Sequence, residues 1–135
     1  MSEPVWTDTL SVGIAELDAQ HRSLVELLAT LHRAVLAGED RQIMSGVIKQ
    51  LNAYMRDHFS SEERWMEAHA FPGLAEHRTL HVDFAERMVH FELDFLAGQA
   101  DLSRELLRYL SDWLANHIMG ADQLYAAHFR KTGAQ

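Results

Sequence analysis

Four side chains in the middle of the chain have the types and spacing of metal ligands. His58 and Glu62 stand four residues apart, and so do His77 and His81. On an α-helix, four residues advance the chain by about 6 Å and turn it by about 40°. Each pair therefore projects from one helix face, one turn apart. Imidazole and carboxylate are the donors a first-row transition metal takes where no thiolate is offered, and the chain has no cysteine. With nine histidines in 135 residues, some such pairs arise by chance. The pairs carry weight only if the remaining elements bring further donors to the same place.

Those elements read as helices. Residues 1–15 show no helical period and form an irregular arm, which Trp6, Val12 and Ile14 tuck onto the body. Asp18 is suited to cap a first helix, with Leu24, Val25, Leu28, Leu31, Val35 and His21 on one stripe and Gly38 at its end. Asp40 is suited to cap a second helix, whose stripe is Ile43, Val47, Leu51, Tyr54, His58, Glu62 and Trp65, ending near Ala68. The third runs from Pro72 or Leu74 to Ala97, with His77, His81, Phe84, Met88, Phe91 and Phe95 at heptad-like spacing, and Gly98 closes it. Asp101 or Ser103 opens the fourth, which carries Leu106, Leu110, Trp113 and His117. Gly120 is expected to interrupt it, with residues 121–129 continuing as a looser turn.

Four helices on short links favour an all-α, antiparallel up-down-up-down four-helix bundle. In that topology His21 near the start of the first helix, His58 and Glu62 near the end of the second, His77 and His81 near the start of the third, and His117 near the end of the fourth share one end. All six lie on core-facing stripes. Buried imidazoles and carboxylates are costly unless something satisfies them, and five histidines with one glutamate cannot readily satisfy one another. Metal ions can. The donor count exceeds the need of one ion and points to two ions sharing bridging carboxylates. Asp122 is the candidate second bridge. It lies about 140° from His117 on a regular helix, so a bulge near Gly120 is needed to bring both inward.

The whole pattern resembles the hemerythrin family, in particular its single-domain bacterial members. The resemblance rests on Val12-Gly-Ile14, Asp18-Ala-Gln-His21, His58-Phe-Ser-Ser-Glu62-Glu63, Phe71-Pro72, His77-Arg-Thr-Leu-His81, and Trp113-Leu-Ala-Asn-His117-Ile-Met-Gly-Ala-Asp122-Gln-Leu-Tyr125. It spans nearly the whole chain and implies one di-iron domain over residues 1–135. It implies that His77, His81 and His117 bind one iron and His21 and His58 the other. Glu62 and Asp122 would bridge the pair together with an oxo or hydroxo group. The second iron then has an open position for dioxygen. The implied function is reversible oxygen binding for transport, storage or delivery, with no substrate turned over. Leu24, Phe59, Trp113, Leu114 and Ile118 flank the ligands and are expected to form a dry oxygen pocket. His32, His69, His90 and His128 are expected to stand outside the site.

The net charge of −8 disfavours nucleic acid or an anionic membrane surface as partner. The absence of cysteine excludes disulfides, iron–sulfur clusters and zinc-thiolate sites. No signal peptide or membrane span is visible, so a cytoplasmic protein is expected. Ferritin-like di-iron oxidases need Glu-x-x-His motifs from two helices, and the sequence contains none. His-Glu-x-x-His is absent too, which disfavours a metalloprotease. The alternatives that share the same site are an oxygen sensor module and a di-iron enzyme reducing peroxide or nitric oxide. Tyr54 and Tyr125 are its candidate proton donors, though packing is the preferred role for both. An oxygen-consuming enzyme is a candidate partner for a delivery protein.

Overall fold

The computed structural model describes residues 3–132. They form α1 (Ala15–Ala37), α2 (Asp40–Ala68), α3 (Leu74–Leu96) and α4 (Leu102–Trp113). A π-helical stretch, Leu114–Ala121, leads without a break into α5 (Asp122–Thr132). α1 packs on α2 and α4, and α3 packs on α2 and α4. That is the closed ring of an antiparallel four-helix bundle, with no strand among the described residues. None of these helices is long and apolar enough to cross a membrane.

Left-handed glycines end two helices. Gly38 has φ 72°, and the Glu39 N–H returns to the Ala34 carbonyl at 2.8 Å. Gly98 has φ 75°, and the Gln99 N–H returns to the Asp94 carbonyl at 3.0 Å. Both turns satisfy carbonyls that the helix end leaves open, in a conformation that only glycine adopts without a steric cost.

Four local expectations are corrected. Asp18 does not cap α1, which begins three residues earlier at Ala15. Its carboxylate instead accepts hydrogen bonds from Ser11 Oγ at 2.5 Å and the Val12 N–H at 2.8 Å. It pins the arm rather than starting the helix. Asp40 likewise is the first residue of α2 and not its cap, a place that Glu39 takes. The arm itself contains a single 3-10 turn, Asp8–Leu10. Residues 121–129 are not a looser turn, because the chain recovers regular helix at Asp122. Gly120 does not interrupt the helix, which runs through it as part of the π-helical stretch.

The core divides into two apolar clusters. The larger includes Leu24, Leu28, Leu51, Phe59, Phe84, Leu110, Trp113 and Ile118. The smaller is built from Val12, Ile14, Leu17, Met66, Tyr125, Ala126 and Phe129. α1 and α2 contribute to both, the fourth wall does so through α4 and α5, and α3 meets the smaller cluster through the partly buried Leu74; in each wall polar residues intervene. His21 lies between Leu17 and Leu24, Glu62 between Phe59 and Met66, His81 between Leu74 and Phe84, and Asp122 between Ile118 and Tyr125. A buried polar layer thus sits between two apolar ones, and the arm with α5 closes it from the bundle's end.

Candidate metal centre

Seven side chains from five helical segments meet in that layer. His21, His58, Glu62, His77, His81, His117 and Asp122 are all buried, and none exceeds 4% exposure. Asp122 reaches the layer because the helix around it is π-helical. Its backbone N–H donates to the carbonyl of His117, five residues back. In a π turn, residues five apart stand one above the other, so both side chains face inward.

The two carboxylates divide their oxygens between two sets of imidazoles. Glu62 Oε1 lies 3.0 Å from His81 Nε2 and 3.6 Å from His77 Nε2. Asp122 Oδ1 lies 3.0 Å from both His77 Nε2 and His117 Nε2. The opposite oxygens face the other set. Glu62 Oε2 is 3.0 Å from His58 Nε2 and 3.3 Å from His21 Nε2, and Asp122 Oδ2 is 3.1 Å from His21 Nε2. The donors therefore form two clusters, one with His77, His81 and His117 and one with His21 and His58; Glu62 belongs to both, and Asp122 belongs to the second while its Oδ1 approaches His77 and His117 of the first.

The close pairs do not satisfy one another. The Nε2 atoms of all five imidazoles, Glu62 Oε1 and both Asp122 oxygens are buried without a hydrogen bond of proper geometry. Leaving so many buried polar atoms unpaired is expensive. They stand beside each other as donors around shared ions do. This donor set, nitrogen and carboxylate oxygen without sulfur, suits first-row metals such as iron.

The electrostatics point the same way. Burial pulls the His21 pKa down, but the Asp122 and Glu62 carboxylates outweigh it and raise it to about 10. His77 is raised to about 9 by the same opposition. Burial pushes Glu62 up, and the imidazoles around it bring it well below the usual carboxylate range. Burial and Glu62 push Asp122 up, and His117 with His21 bring it below that range. The layer thus keeps two anionic carboxylates in an apolar core and calls for positive charge beside them.

The expected pocket residues surround the layer on the side of the larger cluster. Leu24, Phe59, Trp113 and Ile118 are buried there, and Leu114 is half-buried against the same cluster. Phe59 lies flat against His81 and Trp113 against His117, each with ring centroids 3.8 Å apart. The remaining histidines stand apart. His90 is exposed. His32 is buried beside Val35 and Leu107. His128 Nε2 donates to the His69 carbonyl at 2.7 Å, and His69 Nδ1 lies 2.9 Å from the Trp65 carbonyl.

Sequence reasoning gave no role to the groups directly behind the ligands. His58 Nδ1 lies 2.6 Å from Gln20 Oε1, and His81 Nδ1 lies 2.9 Å from Glu63 Oε2. The only signal was adjacency, since Gln20 precedes His21 and Glu63 follows Glu62. Tyr125 is fully buried, and its hydroxyl donates to Glu62 Oε2. The Tyr54 ring stacks on His58 at 4.9 Å.

Residues 12–129 match the model of the Hemerythrin HHE cation binding domain family. The chain is 42% identical over 122 residues to a bacteriohemerythrin of Stenotrophomonas maltophilia, covering 90% of this chain and 78% of that one. It is 32% identical to a bacteriohemerythrin of Methylococcus capsulatus, covering 85% and 86%, and 28% identical to a myohemerythrin of Theromyzon tessulatum, covering 89% and 88%. The crystal structure of a hemerythrin with a leucine-to-tyrosine substitution superposes with a TM-score of 0.82 at 26% identity, covering 94% of this chain and 97% of that one. With a di-metal donor set in its core and these relatives along nearly its full length, the chain belongs to the hemerythrin family.

Proposed function

We propose that this chain binds dioxygen reversibly at a non-haem di-iron centre and serves as an oxygen carrier, store or delivery protein. The observation that carries this is the sharing of the carboxylates. Glu62 and Asp122 each turn one oxygen to the three-histidine cluster and one to the two-histidine cluster. His77, His81 and His117 would hold one iron, His21 and His58 the other, with Glu62 and Asp122 between them. The two-histidine position offers one imidazole fewer, which leaves room for a small ligand. A ferrous pair supplies the two electrons on which reversible oxygen binding draws.

The chain's own residues favour a carrier over a catalyst. Leu24, Phe59, Trp113, Leu114 and Ile118 pack as an apolar wall that keeps water from the ligand. Tyr125 is the feature that would serve the alternative, a di-iron enzyme that reduces peroxide or nitric oxide, because its hydroxyl points at Glu62 as a hydrogen-bond donor beside the site. Burial, then the charges of Asp122 and Glu62, hold its pKa well above that of a free phenol. At neutral pH it is a fixed hydrogen-bond donor, which orients Glu62 without giving its proton up. We further assign residues 1–135 to a single domain, place the protein in the cytoplasm, and take an oxygen-consuming enzyme as the partner it would supply.

Repeated cycles of aeration and evacuation separate the two readings. The ferrous protein is expected to gain its visible oxygenated band on aeration and lose it under vacuum, with little decline over several cycles. Continuous oxygen uptake beyond the iron present, or rapid turnover of added peroxide, would replace the carrier with an enzyme.

A further inference from the structure

We propose that the two metal positions are held with unequal strength by the groups behind their imidazoles. In this account Glu63 tightens the position formed by His77, His81 and His117, and Gln20 leaves the position formed by His21 and His58 the weaker. The inference rests on the di-iron reading above and deepens it.

Two of the site's imidazoles carry an outer hydrogen bond, and the two partners differ in charge. His81 Nδ1 donates directly to a carboxylate, Glu63 Oε2, at 2.9 Å. Arg78 fixes that carboxylate from the other side, with Nε donating to Glu63 Oε1 at 3.0 Å. The same guanidinium reaches Glu67 Oε2 at 3.4 Å, so it bridges two acids of α2 from α3. His58 Nδ1 donates instead to a neutral amide, Gln20 Oε1, at 2.6 Å. The buried Nδ1 atoms of His21 and His117 have no outer partner.

A chain of donors fixes the direction of that amide. Gln20 Nε2 donates to Ser61 Oγ at 3.1 Å, and the single Ser61 hydroxyl proton has the Asp57 carbonyl at 2.9 Å and Glu16 Oε1 at 3.1 Å as its acceptors. The Trp65 indole N–H holds the other oxygen of Glu16 at 3.3 Å. With its NH2 committed to Ser61, Gln20 can turn only its oxygen to His58. His58 then carries its proton on Nδ1 and leaves Nε2 bare toward the site. A carboxylate thus touches His81 directly, whereas the direct partner of His58 is a neutral amide.

An outer carboxylate draws the Nδ1 proton and makes the opposite nitrogen a stronger ligand, and loss of such a partner costs about 10–100-fold in metal affinity. An amide oxygen gives orientation with less basicity. The three-histidine position therefore has both the extra imidazole and the anionic support, whereas the other has neither.

The test is anaerobic iron release from the ferrous holoprotein into excess bipyridine. Two phases of equal size are expected, one iron each. Glu63→Gln keeps the shape and removes the charge, and it should speed the slow phase about 10-fold or more while sparing the fast one. Gln20→Glu should slow the fast phase. Ser61→Ala, which frees the amide to turn, should speed it. If Glu63→Gln does not fold, the Gln20 and Ser61 variants decide the matter through the fast phase alone. Release of both irons in one phase, equal acceleration of both phases by Glu63→Gln, or a fast phase indifferent to Gln20→Glu would overturn the inference. The starting iron content keeps the two claims apart. Fewer than two irons in the parent protein would count against the di-iron reading, and a full complement with unmoved phases would count only against unequal support.

Discussion

At the scale of single residues, the centre is defined by which buried polar atoms have no partner in the protein. Asp122 is the most exacting case. Both its oxygens are buried without a hydrogen bond, and they lie 3.0–3.1 Å from imidazoles of both clusters. Asp122→Ala should remove one bridge and leave the protein with at least one iron fewer by elemental analysis. His90→Ala and His32→Ala should keep the parent's full count, because neither side chain faces the layer. If the His32 variant loses metal while the Asp122 variant retains it, the donor set is wrong. Periodicity made the five imidazoles and Glu62 legible as a set, since each lies on an apolar stripe where a polar residue is out of place. The outer groups were not legible that way. Gln20, Glu63 and Glu16 lie off the apolar stripes, and only side-chain direction shows what they touch.

At the scale of elements, the π-helical stretch is what admits Asp122. A π segment is an α-helix widened to accommodate an extra residue. Deleting Met119, which is half exposed, should let Leu114–Ala121 relax to regular helix. His117 and Asp122 would then be four apart, still on one face. We expect this deletion variant to keep two irons per chain. Inserting one alanine after Met119 should turn Asp122 out of the layer and lose metal. A deletion variant stripped of iron, beside an insertion variant that keeps it, would show that the widened turn does something other than set this register. The sequence pointed to a bulge because His117 and Asp122 are five apart, but it located an interruption at Gly120. The structure spreads the widening over eight residues and continues into α5. Local composition does not show this, because contacts from beyond the segment meet it there: Gln123 Nε2 of α5 lies 3.4 Å from both the Ile118 carbonyl within the π stretch and the Ser11 carbonyl of the arm. Asp18 was misjudged for a related reason. Its type fits a helix cap, but Ser11 and Val12 claim its carboxylate from a distance that pattern alone does not measure.

At the scale of the whole molecule, the polar layer divides the core, so metal and fold are coupled. Without metal, protons must supply the missing positive charge, and His21 and His77 are the imidazoles whose affinity for protons rises, to about 10 and about 9. These are raised values. Their stabilisation is fully present below the unfolded imidazole pKa of about 6.5 and is lost as pH climbs through the folded values. The metal-free chain should therefore melt well below the iron-loaded chain at pH 7 and should lose further stability between about pH 7 and pH 10. The iron-loaded chain should lose little over that range, because its imidazoles bind metal in the deprotonated form. Thermal melts of both forms across that range check this. Equal melting temperatures with and without iron would show that the layer is stable unaided.

The central claim is that the seven donors hold an iron pair acting as one oxygen site. The most direct measurement is an anaerobic titration of the ferrous protein with dioxygen, followed in the visible spectrum, with iron determined on the same sample. About two irons per chain are expected, with saturation at about one dioxygen per iron pair and recovery of the ferrous spectrum when oxygen is withdrawn. An iron content near one per chain, a haem spectrum, or an oxygen response that never saturates would contradict it.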